Sequence, residues 1–306
     1  MNTLVSVYMP TRNRQELISA AVASVLTQTY QDIELLVVDD GSTDSTPELL
    51  ARLAASDRRL RVFRNESSRG APYSRNVAIA AASGRWITGL DDDDTFHSAR
   101  IAAFVSYWQT LEQAGASFSC VFSQEVYDHG THRAETRKPG SLAWSDLFEF
   151  NVIGNQAFTL TDRFRAVGMF DVNMPAWQDL DIFVRLLKRY GPARLLDLQL
   201  YTLNLVDRPD RISKQRKERI LTAFERLCAK HPEVSRKQIQ SLFLQVFGDL
   251  YGFRPDAADV RRFISYGWNR VNTQRFVKAL LRGRGKSLQN PQTLAAPAMS
   301  LPVKPP

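Results

Sequence analysis

The segment "GLDDDDTF" sets four aspartates, Asp91 to Asp94, directly behind an apolar run. Two like charges roughly 4 Å apart cost about 1 kcal/mol in bulk water and about 4 kcal/mol at an intermediate dielectric. Such a run needs either full solvation or a positive partner. In an extended segment side chains alternate, which directs Asp91 and Asp93 one way and Asp92 and Asp94 the other. Two carboxylates on one face suit a hard divalent cation, Mn or Mg, which keeps waters and bridges to substrate phosphates. A solvated acidic loop is the plainer alternative. The second candidate is Asp179 in "WQDLDIFVRLLKRYG". Leu180, Phe183, Val184 and Leu187 fall at i, i+3, i+4 and i+7, so the spacing predicts an amphipathic helix with Asp179 in its first turn. The positive helix start keeps a carboxylate ionised, and an ionised carboxylate beside a hydroxyl can take its proton as a general base. A helix-capping Asp is the alternative there. Asp181, four residues before Arg185, reads as half of a surface ion pair.

The elements that must position these groups alternate between strand and helix. Leu4 to Met9, Ile33 to Val38, Leu60 to Phe63 and Arg85 to Leu90 have buried-strand length, and helical spacing lies between them. Thr46 is placed to N-cap the second helix, with Pro47 at its first position. This order predicts an α/β fold with a doubly wound, mostly parallel sheet, helices on both faces and ligands at the strands' carboxyl ends. Polar clusters sit at those ends: "PTRNR", "DDGSTDS", "NESSRGAPYSRN" and "DDDDTF". Neither GxGxxG after the first strand nor GxxxxGK[ST] anywhere is present, so a nucleotide would be held in another way.

Composition limits the remaining choices. The 306 residues, 44% hydrophobic and 24% charged, describe an ordinary globular chain. No apolar run approaches the roughly 20 residues of a spanning helix, and the start lacks a signal peptide's features. Cys120 and Cys228 form neither a CxxC pair nor a disulfide framework, and His97, His129, His132 and His231 show no metal spacing and read as ordinary surface or helix residues. A cytoplasmic protein is expected. The net charge of +8 is unevenly spread, with 20 Lys and Arg against 25 Asp and Glu through residue 207 and 20 against 7 beyond it. Three parts are therefore expected: a catalytic domain over 1–207, a basic helical extension over 208–286 and a disordered tail over 287–306.

Taken together, "VSVYMPTRNR", "SVLTQTYQDIELLVVDDGSTDST", "SRGAPYSRNVAIAAASGRWITGLDDDD" and the later "VGMFD" before "WQDLDIFVRLLKRYG" resemble the family 2 glycosyltransferases of bacterial surface-polysaccharide type. The likeness spans about residues 3 to 205. It implies a GT-A fold and an inverting, metal-dependent transfer from a pyrimidine nucleotide sugar, of UDP or dTDP type, to a hydroxyl of a glycan or lipid-linked acceptor. It further implies that Pro10, Thr11 and Arg12 border the nucleoside, that Asp40 accepts from the pyrimidine imide and that Arg75 lies near the diphosphate. Asp91 and Asp92 would meet the nucleotide sugar, Asp91 and Asp93 the metal, and Asp179 would be the base. Trp177, Asn151 and Asn155 fall on the acceptor side. Two departures matter: Arg12 stands where the family often has an aromatic residue, and Gln178 replaces the acid of the usual "ED". "DDDDT" also fits the DxDxT of haloacid dehalogenase-like phosphatases, with Asp91 as nucleophile, although that motif normally follows a first strand. A nucleic-acid-binding role for the basic third is a further alternative. So is an anionic membrane surface, because Val260 to Lys286 holds eight Lys and Arg and no acid, interleaved with Phe263, Tyr266, Trp268 and Phe276.

Overall fold

The computed structural model describes residues 2–155, 157–206, 216–248 and 251–281. Its first part runs β1 (Val5–Thr11), α1 (Ile18–Leu26), β2 (Ile33–Asp39), α2 (Thr46–Ser56), β3 (Leu60–Arg64), α3 (Ala71–Ala81) and β4 (Trp86–Gly89). β1, β2 and β4 are buried along their whole length, which is why they read as continuous apolar runs rather than alternating ones. They pair in parallel in the order β3-β2-β1-β4. The chain moves outward from β1 through β2 to β3, then returns to the other side of β1 as β4. That reversal opens a crevice at the carboxyl ends of β1 and β4, where the polar clusters lie. At α2 the N-cap is Ser45 rather than Thr46; the Thr46 hydroxyl instead accepts from the Arg14 amide at 2.8 Å.

The chain continues through β5 (Thr95–Phe96), α4 (Arg100–Gln113), β6 (Val121–Asp128), β7 (Arg133–Glu135), β8 (Ser141–Leu142), β9 (Thr159–Leu160), α5 (Thr161–Ala166), α6 (Gln178–Tyr190) and β10 (Ala193–Asn204). β9 closes the first sheet antiparallel to β4, while β5, β10, β6 and β7 form a second sheet in that order. The two sheets are joined where Val121 and Phe158 exchange amide hydrogen bonds of 2.9 and 2.8 Å. β10 is twelve residues long, yet its register against β6 shifts between Leu196 and Gln199 and again before Tyr201. Those irregularities break the period-2 pattern that would announce it in the sequence.

The extension is helical, with α7 (Lys217–Lys230), α8 (Arg236–Val246), α9 (Ala257–Ser265) and α10 (Arg270–Leu281). One apolar core runs from Tyr8 and Leu36 of the sheet through Phe122 and Phe183 to Phe224, Phe243 and Phe276 of these helices. Phe263 and Phe276 are buried and stack at 4.1 Å, and Tyr266 packs edge-on against Phe243. Those three aromatics therefore face the core and not a headgroup layer, whereas Trp268 is 82% exposed. The expected surface pair is also corrected: Asp181 is fully buried and accepts from Arg185 at 2.6 Å and from Lys230 of α7 at 2.7 Å. A buried carboxylate persists only when paired, so α7 is tied by charge as well as by packing to the helix that carries Asp179. His231 is likewise buried, and burial holds its imidazole below its usual pKa. No helix among the described residues is long and apolar enough to cross a membrane. The residues 207–215, 249–250 and 282–306, which include the expected tail and the last three cations of the basic run, lie outside the description.

Candidate active site

The aspartate run is a turn, not an extended segment. The Asp94 amide donates to the Asp91 carbonyl at 3.2 Å, so the four carboxylates fan out instead of alternating. Each environment differs. Asp91 accepts from Arg75 at 3.0 Å and from the Asn155 amide at 2.9 Å. Asp92 pairs with Arg14 at 3.3 Å; burial raises its pKa to about 6 against the opposing pull of the Thr11 hydroxyl and Arg14. Asp94 is buried and structural: it accepts from the Tyr201 hydroxyl at 2.7 Å and the Asn204 amide at 2.8 Å. Burial, then repulsion from Asp91 and Asp93, keeps its pKa well above the carboxylate range. Asp93, at the second central position of the turn, stays partly exposed. Gly89 permits this arrangement, because a Cβ there would stand 2.5 Å from the Tyr8 ring and 2.6 Å from the Asn155 oxygen.

At the end of β2, Asp40 is almost enclosed by the loop before α3. Its carboxylate accepts from Asn65 (2.7 Å), Ser68 (2.7 Å), the amides of Arg69 (2.9 Å) and Gly70 (2.8 Å), and Ser74 (3.1 Å). Burial alone would raise its pKa; those donors outweigh it and hold the carboxylate ionised. Arg12 reaches across the rim to the Ser68 hydroxyl at 3.1 Å, and Thr11 accepts the Asp40 amide through its carbonyl at 2.8 Å. Pro10 and Thr11 themselves are buried in β1.

Asp179 occupies the first turn of α6, as the helical spacing requires. Trp177 takes the N-cap position in a left-handed conformation, φ 56° and ψ 32°, without a side-chain cap. Asn151 donates to the Asp179 carboxylate at 2.8 Å. Burial raises the Asp179 pKa, opposed by helix-start amides and by Arg75. Arg75 thus stands within electrostatic reach of both Asp91 and Asp179. Asn155, expected on the acceptor side, accepts from the buried Tyr8 hydroxyl at 3.1 Å and donates to Asp91 at 2.9 Å. Sequence reasoning missed Tyr8, Arg14 and Tyr201: Tyr8 and Tyr201 sit in strands and read as core, and Arg14 lies in the polar cluster after the first strand.

The Glycosyl transferase family 2 model matches residues 6–173 of the chain. The chain belongs to that family. It is 37% identical over 193 residues to the putative colanic acid biosynthesis glycosyl transferase WcaA of Escherichia coli K12, covering 62% of this chain and 68% of that one. It is 44% identical over 103 residues to an Escherichia coli UDP-Glc:alpha-D-GlcNAc-diphosphoundecaprenol beta-1,3-glucosyltransferase, WfgD, covering 34% and 40% of the two chains. Among solved structures, S. aureus TarS in complex with UDP-GlcNAc superposes with a TM-score of 0.65 at 16% identity, over 90% of this chain and 79% of that one. A Pyrobaculum calidifontis mannosyltransferase holding GDP-Man and Mn2+ gives 0.55 at 16% identity, over 90% and 83%. The resemblance read from the motifs is borne out, and so is the GT-A fold; the chain is a glycosyltransferase. The phosphatase reading falls with it, since Asp91 follows the fourth strand and is engaged by Arg75 and Asn155.

The donor set fits a hard divalent cation completed by substrate. Among the described residues no three His, Cys, Asp or Glu side chains converge as a self-sufficient metal cage. Mn or Mg in such enzymes needs only one or two carboxylates when phosphates and waters fill the remaining positions. The Asp91 carboxyl is about one-third exposed, and the buried Arg75 Nε beside it has no hydrogen-bond partner among the described residues. An orphaned guanidinium nitrogen next to a carboxylate turn is suited to a diphosphate.

Proposed function

We propose that this family 2 glycosyltransferase is inverting and metal-dependent, and moves a hexose from a UDP- or dTDP-linked donor to a hydroxyl of a lipid-linked glycan during surface-polysaccharide synthesis. The observation that carries this reading is that Arg75 pairs with Asp91 at 3.0 Å while its charge also bears on Asp179. In this reading the diphosphate lies on Arg75 and the aspartate turn, while the acceptor hydroxyl approaches Asp179 from the Asn151 side. As the hydroxyl oxygen forms its bond to the anomeric carbon, Asp179 takes the proton and the bond to the diphosphate breaks, which inverts the centre in one displacement. A divalent cation held by Asp91 and Asp93 would supply neutralisation of the leaving diphosphate. The raised pKa of Asp179 makes it a stronger base than an exposed carboxylate.

The nucleoside lies against Pro10, Thr11 and Arg12 in this reading. Its imide reaches Asp40 by taking the place of the exposed Ser68 hydroxyl, and Arg12 closes over it. The UDP-Glc and diphosphoundecaprenol in the name of one relative, and the UDP-GlcNAc complex of one structural neighbour, support the donor and acceptor classes. A lipid-linked acceptor in turn supports a place at the inner face of the cytoplasmic membrane, reached through the basic extension.

Thermal shift with a panel of nucleotide sugars and Mn2+ or Mg2+ tests the donor side. A UDP- or dTDP-sugar at 100 times its Kd should add about 2.7 kcal/mol, and GDP-sugars nothing comparable. Equal stabilisation by GDP-sugars, or by donor with chelator present, overturns the pyrimidine or the metal assignment respectively. A product that keeps the donor's anomeric configuration overturns inversion.

A further inference from the structure

Among its described residues, the extension meets the candidate active site at Tyr251. Tyr251, between α8 and α9, accepts a hydrogen bond from the Trp177 indole at 3.0 Å, and Trp177 lies two residues before Asp179. Tyr251 also stacks almost parallel to Phe253, with ring centres 5.8 Å apart and planes 3° apart. All three rings are partly exposed. Burial, then the charge of Asp179, pushes the Tyr251 phenol up to about 12, so its hydroxyl is neutral.

Trp177 is held there against a backbone cost. A left-handed conformation disfavours any residue with a Cβ by about 1–3 kcal/mol, and such strain persists only where neighbours over-determine it. The neighbours here come from α7. Arg219 donates to the Pro175 carbonyl at 2.8 Å, Arg226 donates to the Asn173 carbonyl, and Lys230 pairs with Asp171 at 2.6 Å. Three cations of the extension thus fix the loop that aims Trp177, and Tyr251 fixes the indole itself.

Carbohydrates present apolar C–H faces and a rim of hydroxyls, so aromatic rings beside a carboxylate form a platform for a sugar ring. We propose that Tyr251 is an acceptor-positioning residue: with Trp177 it forms the platform on which the acceptor sugar rests with its hydroxyl at Asp179, and the extension thereby takes part in acceptor choice. This inference rests on Asp179 as the base, and goes beyond it by assigning acceptor recognition to a residue outside the segment that matches the family. Tyr251 moves no proton.

The test uses the full chain, a donor that passes the thermal-shift panel, and octyl glycosides of glucose, galactose and N-acetylglucosamine as acceptors. Tyr251→Ala should raise the acceptor KM about tenfold or more, the range of one lost aromatic anchor. Donor KM and acceptor-independent nucleoside diphosphate release should stay within about twofold of wild type. Tyr251→Phe keeps the ring and loses only the acceptor of the indole hydrogen bond, so most of the affinity should return; it also serves if the alanine variant fails to fold. Asp179→Asn should lower kcat with acceptor KM unchanged, so a failed base assignment appears in that variant alone. Unchanged acceptor KM in Tyr251→Ala overturns the proposal, as does a parallel loss of donor affinity or a wild-type chain that uses none of the glycosides.

Discussion

Each aspartate of the run has its own surroundings, and the variants should separate accordingly. Asp93→Ala is expected to abolish metal-dependent donor binding, read by thermal shift with Mn2+. Asp94→Ala should instead unfold more readily, because it leaves the Tyr201 hydroxyl and the Asn204 amide without their acceptor. An unsatisfied buried donor costs about 1–3 kcal/mol, which urea denaturation resolves. Asp92 gives a pH signature. Its pKa is raised in the fold, so its contribution to stability is present below the unfolded value near 3.9 and lost as pH rises through about 6. Asp92→Asn should therefore gain on wild type between pH 4 and 7, by up to about 3 kcal/mol. A difference that stays flat across that range counts against a buried, ionisable Asp92. For Asp179 the same reasoning falls on rate. Only the ionised form accepts a proton, and burial raises its pKa, so the acid limb of kcat/KM should lie above the ordinary carboxylate range. Asp179→Asn should lower transfer by about two orders of magnitude or more while donor binding persists. Asp91, Asp93 and Asp179 could be named as candidates because the motifs around them, taken together, resemble one family; a carboxylate at a helix start is by itself an ordinary capping residue. The contacts around them were not legible: Asn155 reaches Asp91 across 64 residues, Tyr201 reaches Asp94 across 107 and Tyr8 reaches Asn155 across 147, and no local spacing encodes such contacts.

At the level of elements, the central parallel strands β1, β2 and β4 announced themselves, because burial on both faces makes each a largely apolar run. The second sheet did not. Its strands β5, β7 and β8 are two or three residues long, and β10 carries its register shifts in the middle. Two elements make separate predictions. Gly89 ends β4 where Tyr8 and Asn155 close over the backbone, so Gly89→Ala should cost about 1–3 kcal/mol and weaken donor binding by displacing Asn155 from Asp91. Normal donor affinity in that variant would show that Asn155 does not position Asp91. Between α6 and α7, Asp181→Ala leaves Arg185 and Lys230 facing a buried gap and should cost about 3–5 kcal/mol. Lys230→Met, which retains Arg185 as a partner, should cost less. A mild effect of Asp181→Ala in urea would mean that packing alone joins the two helices.

For the molecule as a whole, the charge asymmetry was legible, but its use was not. Part of the extension's positive charge is paired: Lys217 with Asp256 and Asp259, Lys230 with Asp171 and Asp181, Arg262 with Glu225. At the carboxyl end, Ile264, Trp268, Val271, Val277, Leu280 and Leu281 are six of the eleven large apolar side chains exposed among the described residues. The outward face of α10 sets Arg270 and Lys278 among them without an acid. Apolar side chains interleaved with cations suit a bilayer surface carrying anionic lipid, at about 1 kcal/mol per basic residue near it. Cosedimentation with phosphatidylglycerol vesicles, weakening as salt rises and reduced in a Trp268→Ser, Leu281→Ser double variant, is the expected outcome. Equal binding to phosphatidylcholine vesicles, or none at low salt, refutes the membrane surface. Surface substitutions are the right instrument, because removal of everything past residue 207 would strip Phe224, Phe243 and Phe276 from the shared core. That shared core also limits how such enzymes can be recombined. A carboxyl-terminal third taken from a relative will meet the wrong partner surface unless the graft brings its own counterparts of Asp171, Trp177 and Asp181. The change of charge near 207 is therefore the wrong place to join chimaeras, because the extension's partners lie as far back as Ser145 and Phe148 as well as at Asp171, Trp177 and Asp181.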